Sequence, residues 1–235
     1  MSEIAKECLA AFLGSAEYSR TLALQLRICE LKKAGFEPDV LLLLEHPPTI
    51  TLGRNGKWHN LLVSEGELEE RGVRRYEVDR GGDITFHGPG QLIGYPLMRL
   101  DPGERDVHVF MWNLEESIVR LLREYGIEGG RVEKLTGVWT PAGKIAAMGI
   151  HISRWITRHG FALNVNTDLS YYDLIIPCGI SGKSVASMET VLSRKIDLRE
   201  VAQKYVHHFA HVYKRRTTMI SERDLEENLE RYSRP

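Results

Sequence analysis

The alternation of apolar and polar positions divides the chain into helical and strand-like segments. From Ser15 to Lys33, Tyr18, Leu22, Leu26 and Cys29 recur at i, i+4, i+8 and i+11, which predicts an amphipathic helix capped by Ser15 and followed by Gly35. Val40 to Leu44 is an unbroken apolar run between Pro38 and His46-Pro47-Pro48, the pattern of a buried strand, and Thr49 to Leu52 is a candidate for another. Gly53 to Lys57 is a loop. Arg74 to Val78 and Gln91 to Leu97 are predicted strands on either side of a glycine-rich block. The clearest helix is Val107 to Tyr125, where Val107, Phe110, Met111, Leu114, Ile118, Leu121, Leu122 and Tyr125 form one stripe that ends at Gly126. Gly137 to Asn166 alternates strand-like runs with short turns, as in an antiparallel meander. Two more helices are predicted at the C-terminal end. Asp197 to Arg215 opens D-L-R-E and carries Leu198, Val201, Tyr205, Phe209 and Val212, and Ser221 to Tyr232 opens S-E-R-D. A sheet in the middle of the chain with helices before, between and after it predicts an α+β fold rather than repeated βαβ units.

Composition narrows this picture. With 235 residues and 43% hydrophobic content, the chain can build one large core, and no Pro/Gly/Ser-rich linker divides it, so residues 1–235 read as a single domain. Lys plus Arg number 31 against 32 Asp plus Glu, which excludes a global basic field for nucleic acid. The N-terminus has no cationic leader, and no run approaches the roughly 18 apolar residues of a membrane span, so a cytoplasmic location with no membrane association is expected. Cys8, Cys29 and Cys178 are odd in number and widely spaced, which fits a reducing compartment. Cys29 sits on an apolar stripe, and Cys8 and Cys29 both read as small buried hydrophobes.

Candidate chemistry concentrates in three places. The block Arg80 to Tyr95, RGGDITFHGPGQLIGY, holds five glycines together with Arg80, Thr85, His87 and Gln91, a combination suited to a binding wall that a ligand approaches closely. Cys178 lies in Pro177-Cys178-Gly179, a turn that leaves the sulfur unobstructed. A thiol of pKa about 8.5 needs a neighbouring cation or base to act as a nucleophile at neutral pH. Lys144, in a turn entering an apolar strand, is either an exposed edge lysine or a partly desolvated one that exchanges protons near neutrality. Three other signals carry less. Gly179 to Ser184 imitates the end of a P-loop but has Pro177 where the first glycine is required. His207 and His211 have metal-like spacing without the glutamate of H-E-x-x-H and read as a solvated helix face. Lys214-Arg215-Arg216 reads as cations that end a helix.

The pattern R-G-G-x-x-T-[aromatic]-H-x-x-G-Q-x-x-x-Y, met by Arg80, Gly81, Gly82, Thr85, Phe86, His87, Gly90, Gln91 and Tyr95, resembles the signature of the lipoyl(octanoyl) transferases. GKIAAMGIHISRWITRHGFALNVN (Gly143 to Asn166) and IIPCGISGKSVASM (Ile175 to Met188) agree with it, so the resemblance spans about Val40 to Met188. It implies the α+β fold shared with lipoate and biotin protein ligases, a mixed or antiparallel sheet flanked by helices. It implies transfer of an octanoyl group from octanoyl-acyl carrier protein to a lysine of lipoyl domains, those of 2-oxoacid dehydrogenase complexes and the glycine cleavage H protein. Cys178 would carry the acyl group as a thioester and Lys144 would tune its thiol. The acyl group would arrive on the carrier's phosphopantetheine arm, with no further cofactor and no metal. Substrate binding would fall to Arg80, Gly81, Gly82, Asp83, Ile84, Thr85, Phe86 and His87, together with Ala147, Met148, Gly149, Gly160, Phe161 and Ala162. In that scheme His87 orients groups or handles a proton and is not the primary base. Two alternatives are an ATP-dependent lipoate-protein ligase, which has no use for Cys178, and a non-catalytic relative that binds lipoyl domains or acyl groups.

Overall fold

A computed structural model describes residues 5–176 and 184–233 of the chain. In chain order its elements are β1 (Lys6–Ser15), α1 (Tyr18–Lys33), β2 (Asp39–Glu45), β3 (Thr49–Leu52), α2 (Glu65–Glu70), β4 (Arg74–Glu77), β5 (Ile84–His87), β6 (Gln91–Leu97), α3 (Val107–Glu124), β7 (Gly130–Val132), β8 (Leu135–Thr140), β9 (Gly143–Ser153), β10 (Ile156–Asn164), α4 (Met188–Leu192), α5 (Leu198–Tyr213), β11 (Arg215–Ile220) and α6 (Glu222–Ser233). Among the described residues, eight strands form one sheet in the order β11-β1-β2-β6-β10-β9-β8-β7, and β4-β3-β5 form a smaller one. The first three strands of the large sheet are parallel and the rest antiparallel, so the sheet is mixed, and helices cover both faces.

The long apolar run of β2 follows from this covering. Leu41 and Leu43 face a core closed by Phe110, Leu114 and Ile118 of α3 and by Val201, Tyr205 and Phe209 of α5. Val40, Leu42 and Leu44 face the opposite core, with Ile28 and Cys29 of α1 and Leu225 and Leu229 of α6. A strand buried on both faces has no polar side to alternate with. A third core, with Ile50, Ile84, Phe86, Tyr172 and Leu174, lies behind the small sheet. The C-terminal helices start where the sequence places their caps. Asp197 accepts from the backbone N–H groups of Arg199 and Glu200 at 2.8 and 3.0 Å, and Ser221 accepts from that of Asp224 at 3.1 Å.

Three features depart from the sequence expectation. Ser15 ends β1 and caps nothing. Helix α1 begins at Tyr18 behind Glu17, which makes no side-chain cap bond, and its buried face is rotated to Thr21, Gln25, Ile28 and Lys32, leaving Leu26 42% exposed. Lys6–Ser15 is a full strand, paired in parallel with both β2 and β11. Arg215 does not end a helix. Lys214 takes a left-handed cap conformation, and Arg215 opens β11, buried, with Nε 2.9 Å from Asp39 and its two terminal nitrogens 2.6 and 2.8 Å from Glu104. Asp39 is fully buried and also holds Lys32 Nζ at 3.0 Å, which answers the cost of placing its charge inside the protein.

Candidate active site

Strands β9 and β10 form the floor of a pocket. Their register sets Gly149 opposite Gly160 and Ala147 opposite Ala162, so four small residues lie in a two-by-two block. The pocket above them holds about 50 Å³ of open space. The two glycines serve close backbone packing rather than ligand access. A Cβ on Gly149 would come within 2.6 Å of Gly81 O, and one on Gly160 would collide with Gly94 O. The two alanines are what leave room above the sheet. Met148 and Phe161 border the pocket, but strand alternation turns them to the other face, where both pack in the core beneath α3 and α5 and the Phe161 ring lies 4.6 Å from that of Tyr205.

The opposite wall comes from the glycine-rich block. Gly81 N–H donates to Ile150 O at 2.8 Å, and Arg54 N–H to Arg80 O at 3.0 Å, which lace residues 80–83 between β9 and the loop after β3. Gly82 has φ +91°, a conformation that favours glycine. The Arg80 guanidinium donates to Thr51 O at 2.8 Å and to Thr51 Oγ1 at 2.9 Å. Asp83 and Ile84 line the pocket as well. Strand β5 presents Thr85 and His87 to the pocket, whereas Phe86 faces away and stacks on Tyr171 at 4.7 Å. Of the residues assigned to substrate binding from the sequence, Gly81 and Phe86 are not among those lining the pocket. The former is held against Ile150, and the latter is turned away by the period of two along the strand.

A hydrogen-bonded chain runs behind this wall. Gln91 Nε2 donates to Asn164 Oδ1 at 2.9 Å, which leaves Gln91 Oε1 to accept from His87 Nδ1 at 3.1 Å and His87 Nε2 to accept from Thr51 Oγ1 at 3.2 Å. Burial, with the neighbouring His46 and Arg80, holds the His87 pKa well below its ordinary value, so the ring is neutral and orients its neighbours. His46 is also buried. It meets Ala16 O at 2.6 Å and Tyr95 Oη at 2.8 Å, and burial lowers its pKa to about 4. Tyr18, Tyr95 and His159 line the pocket too, although none was assigned to it from the sequence. Tyr95 belongs to the quoted signature and His159 directly precedes Gly160, so position beside matched residues was the available signal.

Lys144 lines the pocket from β9. Its backbone N–H donates to Ser184 O and its carbonyl accepts from Ala186 N–H, both at 2.9 Å, and its ammonium lies 5.4 Å from the Trp139 ring centroid. A Cβ on Gly137, where φ is +120°, would come within 2.6 Å of Lys144 Cε, so that glycine makes room for the lysine stem. Cys178 lies outside the described residues. The chain on either side of it is anchored, by Ile176 N–H to Asn60 O at 2.8 Å and by pairing of Val185 with Lys144. Cys8 and Cys29 are buried, as expected, and burial pushes the Cys8 thiol up to about 12 and raises that of Cys29, so neither is poised as a nucleophile. His207 and His211 lie on an exposed face of α5.

Residues 17–210 match the family model described as the lipoyl protein ligase A/B catalytic domain. A protein of Solibacter usitatus named octanoyltransferase is 48% identical over 208 residues, covering 88% of this chain and 94% of its own. Another protein with that name, from Caldicellulosiruptor saccharolyticus, is 47% identical over 218 residues, covering 92% and 93%. Among solved structures, the bipartite lipoate protein ligase of Thermoplasma acidophilum, from the analysis of an archaeal lipoylation system and its E2 lipoyl domain, superposes with a TM-score of 0.72 at 17% identity over 97% of this chain and 93% of that one. At that identity the superposition shows the fold, which is the one expected of lipoate ligase relatives. Together with the relatives' identity and coverage, the model match shows that the chain belongs to the lipoyl protein ligase A/B catalytic-domain family, among its octanoyltransferases.

Proposed function

We propose that the protein, acting as one catalytic domain, transfers an octanoyl group from octanoyl-acyl carrier protein to a lysine of lipoyl domains through a thioester on Cys178. The observation that carries this reading is the pocket itself. Lys144 stands at one end of a channel floored by Ala147, Gly149, Gly160 and Ala162, and its strand pairs with Val185, seven residues along the chain from Cys178. In the first step Cys178 gives its proton to Lys144 and its thiolate attacks the thioester carbonyl. The carrier's pantetheine sulfur leaves and takes that proton back from Lys144. In the second step the acceptor lysine, as the free amine, attacks the acyl-enzyme carbonyl. The bond to Cys178 sulfur breaks, and the amine proton passes through Lys144 to the leaving thiolate, giving an amide and the free enzyme. Thioester exchange is nearly isoenergetic and aminolysis runs downhill, so neither step calls for a nucleotide.

The pocket residues Arg80, Gly82, Asp83, Ile84, Thr85 and His87 are proposed to shape the acyl site, with Gly81 and Phe86 supporting them from behind. The lipoyl domains of 2-oxoacid dehydrogenase complexes and the glycine cleavage H protein are the proposed acceptors. Incubation with octanoyl-acyl carrier protein, without nucleotide, is expected to add one octanoyl mass that maps to Cys178 and is lost on addition of an apo lipoyl domain. Cys178→Ala is expected to abolish the label, while Cys8→Ala and Cys29→Ala keep it. Labelling elsewhere, or a requirement for ATP, would overturn the reading in favour of a ligase.

A further inference from the structure

The end of the pocket remote from Lys144 is closed in two different ways. His159 stands opposite Ile150, six residues along β9 from Lys144, and both side chains line the same pocket. Beyond that end lies an outer groove lined in part by Gly53, Arg54, Val78, Asp79 and Arg158. One portion of the partition is backbone on backbone. Gly53, Arg54 and Asn55 donate to the carbonyls of Asp83, Arg80 and Gly82 at 3.2, 3.0 and 3.2 Å, and a Cβ on Gly53 would collide with Gly82 O. Another portion includes a pair of side chains. His159 lines the inner pocket and is 2% exposed, and its Nε2 lies 2.9 Å from Oδ1 of Asp79, which lines the outer groove.

This pair is fixed from several directions. His159 has φ +57°, a left-handed conformation within a strand, and its backbone N–H donates to Gln25 Oε1 at 2.8 Å. Asp79 is also held by Arg158 and lies 3.4 Å from His151 Nδ1. Burial lowers the His159 pKa to about 3, so the ring is neutral and Nε2–H donates to the carboxyl group of Asp79.

We infer that His159, held by Asp79, is the end stop of the acyl pocket and sets the upper limit of acyl chain length. This rests on the reading of the pocket as an acyl site. A chain long enough to pass the partition must displace the buried imidazole and part its Nε2–H from Asp79, a penalty that the added methylenes do not recover. Chains that end before it leave the pair in place.

The test compares acyl-enzyme formation from octanoyl-, decanoyl- and dodecanoyl-carrier donors in the wild type, His159→Gly and His159→Asn. Glycine and asparagine both tolerate the left-handed backbone, so each removes the ring without straining the chain. The ratio of kcat/KM for dodecanoyl over octanoyl donor is expected to rise about tenfold or more in His159→Gly, in line with the discrimination one or a few methylenes provide in a pocket, and by less in His159→Asn. Asp79→Ala, which leaves the ring but frees it, is expected to raise the ratio partway. An unchanged ratio in folded variants, or equal loss with every donor length, overturns the end stop while leaving the acyl-transfer reading intact. Failure of the wild type to accept any acyl donor rejects that reading and the end stop with it.

Discussion

Ala147 is the position at which the pocket can be filled without touching the core. It is half-buried on the pocket floor opposite Ala162, and the neighbouring side chain Met148 takes the core-facing position. Ala147→Leu introduces three carbons into this pocket, displacing roughly three or four methylenes of a bound chain at about 0.8 kcal/mol each. The expected loss is about 3 kcal/mol, or roughly 100-fold in kcat/KM for the octanoyl donor. A butanoyl donor lacks the displaced methylenes and is expected to lose less than about tenfold by the same accounting. Single-turnover acylation followed by intact-protein mass measures both donors, and thermal unfolding of the same variant shows that the added side chain has not entered the core. Equal losses for the two donors, or full octanoyl activity in a folded variant, would refute the placement of the chain over this floor.

Three other outcomes are expected. Lys144→Ala should raise the thiol pKa of Cys178 by about one to three units, and with less thiolate at neutral pH alkylation should slow. Lys144→Arg should restore alkylation but not transfer, because a guanidinium does not give up its proton, and an unshifted alkylation profile in Lys144→Ala would end this role. His46 and His159, lowered to about 4 and about 3, remain neutral in the folded protein while the unfolded chain takes up protons below its ordinary value. Their stabilising effect is thus present above about pH 6.5 and lost as pH falls toward 4, at about 2 kcal/mol each between pH 7 and 5. Denaturant titrations that show flat stability over that interval would contradict it. Arg215→Met should cost about 3–5 kcal/mol by leaving buried Asp39 short of one cation, and a loss below about 1 kcal/mol in urea unfolding would show the pair to be dispensable.

What could be read from the chain depended on whether an element's partners were local. Helix α3 and strand β2 show their burial directly, because most of the residues they bury are apolar and the spacing reports them. Helix α1 was out of phase in the sequence reading because Thr21, Gln25 and Lys32 lie on its buried side. Their partners come from elsewhere: Gln25 holds the His159 N–H across 134 residues of sequence, and Lys32 meets Asp39 across the turn. Strand β11 escaped for a similar reason. A basic triplet after a helix looks like a solvated end unless the carboxylates that bury its middle member are known, and Glu104 lies 111 residues away.

The site divides along the same line. The glycine pattern of Arg80 to Tyr95 marked a wall, and the structure brings that wall to Lys144 and to the small residues of β9 and β10. Spacing could not say which of its members face the pocket. That follows from the pairing of β5 with β3, which turns Thr85 and His87 inward and Phe86 outward. Nor could spacing reveal that Gly149 and Gly160 are glycine because two backbones meet there, while Ala147 and Ala162 provide the open floor. The chemistry therefore rests on two kinds of residue with different tolerances. At the glycines any side chain displaces a strand, and the fold fails before the ligand is affected. At the alanines and at His159 the side chain itself bounds the ligand. Evolving a different acyl preference on this fold is accordingly open at Ala147, Ala162 and His159 and closed at the glycines between them.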